Sequence, residues 1–174
     1  TLKATGQHLG ELPGVLLRYE WPATHSAPEP ASRPEGGRIL IAWSAAAGAV
    51  PAQQHIEAVS RACQAGAYPF VVERDVLPHA SVPGLLEVLK ASVTVGPPIS
   101  ALHLLCHGVP AGSSFGLAFS GASSDDDMVV ADAGRLRQLL APYAQTVRLL
   151  VLAVCDSGNS GVLGNQLGSV AQTL

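Results

Sequence analysis

The strongest constraint on the fold is a pair of apolar segments, each of which ends at a chemically reactive side chain. Leu149–Val154 is apolar at both odd and even positions, which is typical of a strand buried between two layers of helices. Cys155 follows it directly, and a second segment, Ile99–Cys106, ends in the same way at His107. In an open parallel sheet, ligands bind just beyond the carboxyl ends of the strands. We therefore expect Cys155 and His107 to lie at the edge of the sheet where chemistry takes place.

Segments of strand character alternate with segments of helical character along the chain. Strands are predicted at Arg38–Ser44, Phe70–Leu77, Ile99–Cys106 and 147–154, and helices at 51–65, 81–93, 132–140 and from Asn165 onward. Ser81 and Asp132 are the candidate N-caps of two of these helices, Pro142 ends the second of them, and residues 109–121 are a candidate hairpin. The acidic and basic side chains of residues 73–75 indicate that one end of the second strand is exposed to water. This order predicts an α/β fold with three layers, α/β/α, and a mostly parallel sheet.

We divide the chain at residue 37. Residues 1–37 contain a predicted strand, Val15–Tyr19, and a proline-rich loop, whereas residues 38–174 form the main domain. No strand is predicted after the last helix, which would leave the sheet edge beside the Cys155 strand unpaired. We therefore expect further strands of this domain to lie on a C-terminal segment or a second chain.

Composition excludes several functions. The net charge is −3 without a basic stripe, so direct binding to nucleic acid is not expected. No apolar run reaches the roughly 18 residues of a membrane helix, and no membrane partner is expected. The three cysteines have no metal-type spacing and are odd in number, which favours free thiols in a reducing compartment, the cytoplasm.

The residues at the two strand ends suit nucleophilic catalysis. A thiol is a nucleophile only as its thiolate, and a neighbouring histidine lowers its pKa and later protonates the leaving amine. Gly108 follows His107, and its N–H, with that of Cys155, is a candidate for stabilising an oxyanion. A cysteine alone is more often an inert core residue, and so is a histidine alone. The two strand ends taken together, each followed closely by glycine, favour the catalytic interpretation.

The motifs L-H-L-L-C-H-G at 102–108 and V-L-A-V-C-D-S-G at 151–158 resemble the paired signatures of CHAT domains, which belong to the caspase-like clan of cysteine peptidases. The resemblance extends over residues 38–174. It implies a caspase-like fold with Cys155 as the nucleophile, His107 as the general base and Gly108 as the oxyanion-hole glycine. Asp156 stands where the family commonly has an acidic residue, and Asp156 and Ser157 are candidate substrate-binding residues.

The resemblance also implies an activity. The expected function is a cysteine endopeptidase without a cofactor, acting as a triggered bacterial effector in defence or cell death. Its expected partner is a protein substrate such as a gasdermin-like pore former. A catalytically silent CHAT-like module that binds proteins is the alternative, and a flavodoxin-like binder of a phosphate or flavin is a third interpretation.

Other reactive side chains fit structural roles better. His103 and His107 are four residues apart on a strand, about 13 Å, which is too far for one metal ion, so we interpret His103 as a core or partly buried residue. Cys106 should point to the opposite side of its strand from His107 and pack there, and Cys63 lies on the apolar stripe of its helix.

Three further motifs lack the residues that their chemistry needs. The acidic run 125–127 lacks the spacing of a calcium loop and is interpreted as a solvated loop. The glycine-rich segment Gly158–Gly168 has no lysine and is not a phosphate loop. Ser160 lacks the flanking glycines of a serine-hydrolase nucleophile. No metal site is predicted.

Overall fold

The computed structural model of the protein describes residues 36–112, 114–121 and 127–154. Several predicted features therefore lie outside the described residues: the strand Val15–Tyr19, nearly all of the proline-rich loop, most of the acidic run, and the whole segment 155–174, with Cys155, Asp156, Ser157, Ser160 and the final helix.

The described residues form seven strands and four helices. The strands are β1 (Arg38–Trp43), β2 (Val76–Leu77), β3 (Ile99–Leu105), β4 (Gly108–Ala111), β5 (Ser114–Ser120), β6 (Met128–Asp132) and β7 (Leu149–Ala153). The helices are α1 (Ala52–Ala65), α2 (Val72–Asp75), α3 (Val82–Thr94) and α4 (Ala133–Leu140). In the part of the chain that the structure describes, no helix is both long enough and apolar enough to cross a membrane.

Four strands make a parallel sheet in the order β2-β1-β3-β7. This arrangement confirms the prediction of an α/β fold with a parallel sheet. Helices separate the successive parallel strands, because the chain has to run back to the end of the sheet where the previous strand began before the next parallel strand can start. The carboxyl ends of β1, β3 and β7 consequently lie side by side, with Trp43 opposite Leu105 and Leu105 opposite Ala153.

The two faces of this sheet carry different residues. Alternate positions of β1 and β3 join a buried apolar cluster with α3, α4 and the second sheet; the cluster includes Leu40, Ala42, Leu102, Leu104, Leu85, Leu89, Leu117, Phe119 and Leu136. On the other face of β3, His103 contacts His55 of α1. Because side chains alternate across a strand, one parity of β3 builds the core and the other faces α1.

The strand β7 is less buried than its sequence predicts. Leu149 is 57% exposed and Val151 is 37% exposed, whereas Leu150 and Leu152 pack against the core cluster. The expectation of a strand buried between two helical layers is therefore wrong for one face of β7. In the described part of the sheet β7 is an edge strand, and the face that carries Leu149 and Val151 remains open.

The predicted strand Phe70–Leu77 is wrong in most of its length. Residues 72–75 form the helical turn α2, and only the two residues of β2 pair with β1. Asp75, expected at a wet strand end, is fully buried (0% exposed). Its carboxylate accepts hydrogen bonds from the Arg38 guanidinium at 3.0 Å, from Arg74 at 2.8 and 2.9 Å, and from the N–H of Val71 at 2.8 Å. These four bonds close the turn and satisfy the buried charge.

The second sheet is antiparallel and has the order β4-β5-β6. Its first two strands confirm the hairpin predicted after His107, whereas β6 was not predicted. The segment before α3 links this sheet to the parallel one: the N–H of Ala80 donates to the carbonyl of Trp43 at 2.7 Å, and the N–H of Ser120 donates to the carbonyl of Ala80 at 3.0 Å.

Two predicted helix caps are confirmed. The Ser81 hydroxyl accepts a hydrogen bond from the N–H of Gly84 at 3.1 Å, and the Asp132 carboxylate accepts one from the N–H of Arg135 at 2.8 Å. Each side chain satisfies an N–H that has no partner within its helix. The end predicted for α4 near Pro142 is also confirmed, since a short 3₁₀ turn, Ala141–Tyr143, follows the helix.

Replacement of Asp75 tests the buried ion cluster. Burial by itself raises the pKa of the Asp75 carboxyl, but the hydrogen bonds from Arg74, Val71 and Arg38 outweigh it and hold that pKa below its ordinary value. We expect Asp75→Asn to lower the free energy of unfolding at pH 7 by about 3–5 kcal/mol, because it leaves Arg38 buried without its counter-charge. Urea unfolding measures this loss, and Asp132→Asn is the matched control, because asparagine caps a helix about as well as aspartate.

The same cluster gives an acid dependence. Its stabilisation is fully present above the unfolded pKa of about 4 and is lost as the pH falls through the lower pKa of the folded state. We expect the unfolding free energies of wild type and Asp75→Asn to converge once the pH is below the folded-state pKa of Asp75. An unchanged difference between pH 7 and pH 2 would contradict an ionised Asp75.

Candidate active site

His107 is the second residue after β3, and its imidazole is fixed by a backbone carbonyl. Its Nε2 atom lies 3.1 Å from the carbonyl oxygen of Ala49. A carbonyl oxygen can only accept a hydrogen bond, so Nε2 carries the proton in this contact. In the neutral ring, Nδ1 is then left with a free lone pair. Nδ1 of the neutral His107 ring is therefore a hydrogen-bond acceptor.

Ala49 lies in the loop between β1 and α1, and Ser44 holds the start of this loop. The N–H of Ser44 donates to the carbonyl of Leu105 at 3.0 Å, and its hydroxyl is 3.2 Å from that of Ser120 and accepts from the N–H of Ala46 at 3.3 Å. The loop that orients His107 is therefore attached to the end of β3 and to the second sheet by buried hydrogen bonds.

Gly48 brings the loop close to the imidazole. Its φ of +128° is a backbone conformation that side chains disfavour, and a Cβ at this position would lie 3.5 Å from Nε2 of His107. Glycine is therefore required here by backbone conformation, and the ring lies directly against it.

A cleft of about 380 Å³ opens beside His107. It is bounded by the loop before α1 and by the carboxyl ends of β3 and β7, and its lining residues are Ala49, Val50, Pro51, His55, Leu105, Cys106, His107, Ala153 and Val154. The walls are mostly apolar, and the imidazoles of His55 and His107 also line the cleft. Such a combination of apolar walls and a few polar groups is typical of a ligand site.

The register of β3 and β7 relates the two predicted catalytic positions. Each paired residue of β3 lies opposite the residue 48 positions later, as His103 does with Val151 and Leu105 with Ala153. His107 and Cys155 are separated by the same 48 positions in the sequence. Cys155, Asp156 and Ser157 themselves lie outside the described residues. Gly108, the oxyanion-hole candidate, is the first residue of β4 and pairs with Leu117.

The other two cysteines are structural. Cys106 is buried in the core cluster, and burial raises the pKa of its thiol to about 12. Cys63 is also buried; burial and, to a lesser extent, Asp75 raise the pKa of its thiol. The burial of both side chains supports the prediction that they are packing residues.

The sequence did not reveal that His55 belongs to this cleft. Nδ1 of His55 lies 3.2 Å from Nε2 of His103, and the two rings meet edge to face with their centres 5.1 Å apart. His103 is partly buried, as predicted; burial and then the neighbouring His55 lower its pKa. No local pattern links two residues 48 positions apart. Among the described residues no group of three or more side chains could hold a metal ion.

Comparison with known proteins gives no relative: no protein-family model, no curated protein and no solved structure matches this chain.

Replacement of Gly48 tests the orientation of His107. We expect neutral wild-type His107 to be the Nε2–H tautomer, detectable by long-range ¹H–¹⁵N NMR. Gly48→Ala should strain the loop and displace the Ala49 carbonyl, so that the Nδ1–H tautomer becomes populated. Gly96→Ala is the control, because Gly96 also has a positive φ but has open space around it. Equal tautomer populations in all three proteins would contradict a carbonyl-held ring.

Proposed function

We propose that this protein is a cysteine endopeptidase with a His107–Cys155 dyad, similar to CHAT proteases of the caspase-like clan. The observation that carries the proposal is the parallel pairing of β3 with β7 in a constant 48-residue register. A continuation of this register by two residues would set Cys155 opposite His107, at the cleft that the described residues form.

The tautomer of His107 supports its role as the general base. Nε2–H is occupied by the Ala49 carbonyl, so the lone pair of Nδ1 is the group that accepts the thiol proton. The Cys155 thiolate then attacks the carbonyl carbon of the substrate peptide and forms a tetrahedral oxyanion. The N–H groups of Gly108 and Cys155 are the proposed donors to this oxyanion. In the sequence, Gly108 comes shortly after β3 and Cys155 shortly after β7.

The remaining steps return the enzyme to its starting state. The C–N bond breaks, the amine leaves with the proton held on Nδ1, and a thioester remains on Cys155. Water then gives a proton to Nδ1 and adds to the thioester carbon. When the C–S bond breaks, the acid product leaves and the thiol regains its proton.

The proposed substrate is a partner protein in the cytoplasm, and a gasdermin-like pore former is one example. Cys63 and Cys106 are both unpaired, which supports a reducing compartment. We also propose that a three-layer, caspase-like domain holds this site.

Labelling with a thiol-reactive probe tests the dyad. We expect wild-type Cys155 to react rapidly at pH 7, located by peptide mapping, and His107→Ala to slow this reaction by about 10²-fold or more, because the base that forms the thiolate is lost. Cys63 and Cys106 are internal controls, since buried thiols with raised pKa values should react slowly in every variant. His79→Gln controls for the loss of a histidine outside the cleft.

The result also separates the rival functions. Equal, slow labelling of all three thiols in the folded protein would contradict the dyad and favour the protein-binding module. A module would also keep its partner binding in Cys155→Ala, whereas a peptidase would lose all turnover. A visible absorption spectrum of the purified protein would reveal a flavin.

A further inference from the structure

The cleft holds a second imidazole, His55, whose orientation is fixed by a third. His55 lies in the first turns of α1, and His103 lies on the face of β3 that is turned toward α1. With His107, they are half of the six histidines of the chain. The 3.2 Å contact between Nδ1 of His55 and Nε2 of His103 is a hydrogen-bond distance.

This contact determines which atom of His55 remains for a ligand. Nδ1 is occupied by His103, so Nε2 is the free nitrogen of a ring that lines the cleft. His103 is partly buried, and burial and then the neighbouring His55 lower its pKa. If Nε2–H of His103 donates to Nδ1 of His55, Nε2 of the neutral His55 ring carries the proton and is a donor. If Nδ1–H of His55 donates to His103 instead, Nε2 of the neutral His55 ring is an acceptor. A ligand that accepts a hydrogen bond at Nε2 of His55 favours the first arrangement.

The surroundings favour a negatively charged ligand. Among the described residues that line the cleft, none is an aspartate or a glutamate. The first turn of α1 has no acidic residue, and Val50 and Pro51 at its start line the cleft. The positive end of the helix dipole is therefore not neutralised there by a side chain. A carboxylate at Nε2 of His55 would receive a charge-assisted hydrogen bond from Nε2–H, because the acceptor is ionised.

We propose that His55 is a substrate-binding residue that selects an acidic side chain through Nε2–H, with His103 as the positioning residue that holds its ring. The inference rests on the proposed function, since it assigns the substrate class of the same cleft. The substrate's carboxylate lies at Nε2 of His55, and its scissile peptide bond lies at His107.

Two small alkylating reagents test this selection. Iodoacetate and iodoacetamide form the same C–S bond with Cys155 and release iodide, but only iodoacetate carries a carboxylate. We measure the rate constant with iodoacetate divided by the rate constant with iodoacetamide. We expect His55→Phe to lower this ratio by about tenfold, because the variant loses one charge-assisted hydrogen bond to the carboxylate. The iodoacetamide rate should stay within about twofold of wild type, because His107 is unchanged. Because the same thiolate reacts with both reagents, the ratio reports the effect of the carboxylate and not the reactivity of the thiolate.

Matched variants separate binding from positioning. His55→Gln keeps a neutral donor and should give an intermediate ratio. His103→Phe should lower the ratio by freeing the His55 ring, and His103→Gln should restore part of it by supplying a new hydrogen-bond partner. His79→Gln should leave the ratio at the wild-type value. A ratio unchanged in His55→Phe overturns the proposal, and so does an equal loss of both rates, which would assign His55 to the thiolate.

If Cys155 proves inert, the proposed function is wrong, and carboxylate binding at His55 then has to be tested without the thiol. Wild-type protein is titrated with N-acetyl-aspartyl amide and with its neutral analogue N-acetyl-asparaginyl amide. Long-range ¹H–¹⁵N spectra report Nε2 of His55. A shift with the aspartyl compound that the asparaginyl compound does not produce supports a carboxylate site at His55. Equal shifts, or none, overturn it.

Discussion

The pairing of β3 with β1 on one side and with β7 on the other determines where every candidate residue lies. All three strands are parallel, so their carboxyl ends meet at one edge of the sheet. The loop after β1 supplies the Ala49 carbonyl, the residues after β3 include His107, and the end of β7 supplies Ala153 and Val154. A shift of one residue in either ladder would turn these groups to the other face, because side chains alternate along a strand.

The alternation along β3 also divides neighbouring residues between the apolar core and the side of the cleft. Cys106 enters the apolar core, where its thiol is kept protonated, whereas the next residue, His107, is turned to the cleft. His103 lies on the cleft side of β3 as well, and its partial burial would be costly without the hydrogen bond to His55. Two adjacent positions thus have different surroundings because the pleat separates their side chains, although their residue types alone would make both reactive.

Buried polar contacts hold this frame in place. Asp75 is neutralised by two arginines at the β2 edge of the sheet, and the Ser44–Ser120 hydroxyl contact joins the parallel sheet to the antiparallel one. Among the described residues that are not exposed, no buried side-chain nitrogen or oxygen lacks a hydrogen-bond partner. Satisfied buried polar groups favour one arrangement over its alternatives, since any shift would leave a polar atom without a partner. The loop that carries Gly48 and Ala49 is fixed by such contacts.

The sequence by itself determined the strands β1 and β3, the helices α1, α3 and α4, and the caps Ser81 and Asp132, because apolar periodicity and capping act over a few neighbouring residues. It also identified His107, since an apolar strand that ends at a histidine is visible locally. Only the tertiary structure decided the burial of Asp75, the place of His55 in the cleft and the open face of β7. Each of these depends on groups from distant parts of the chain or on a strand's position at the sheet edge, and no local pattern encodes which distant surfaces will meet.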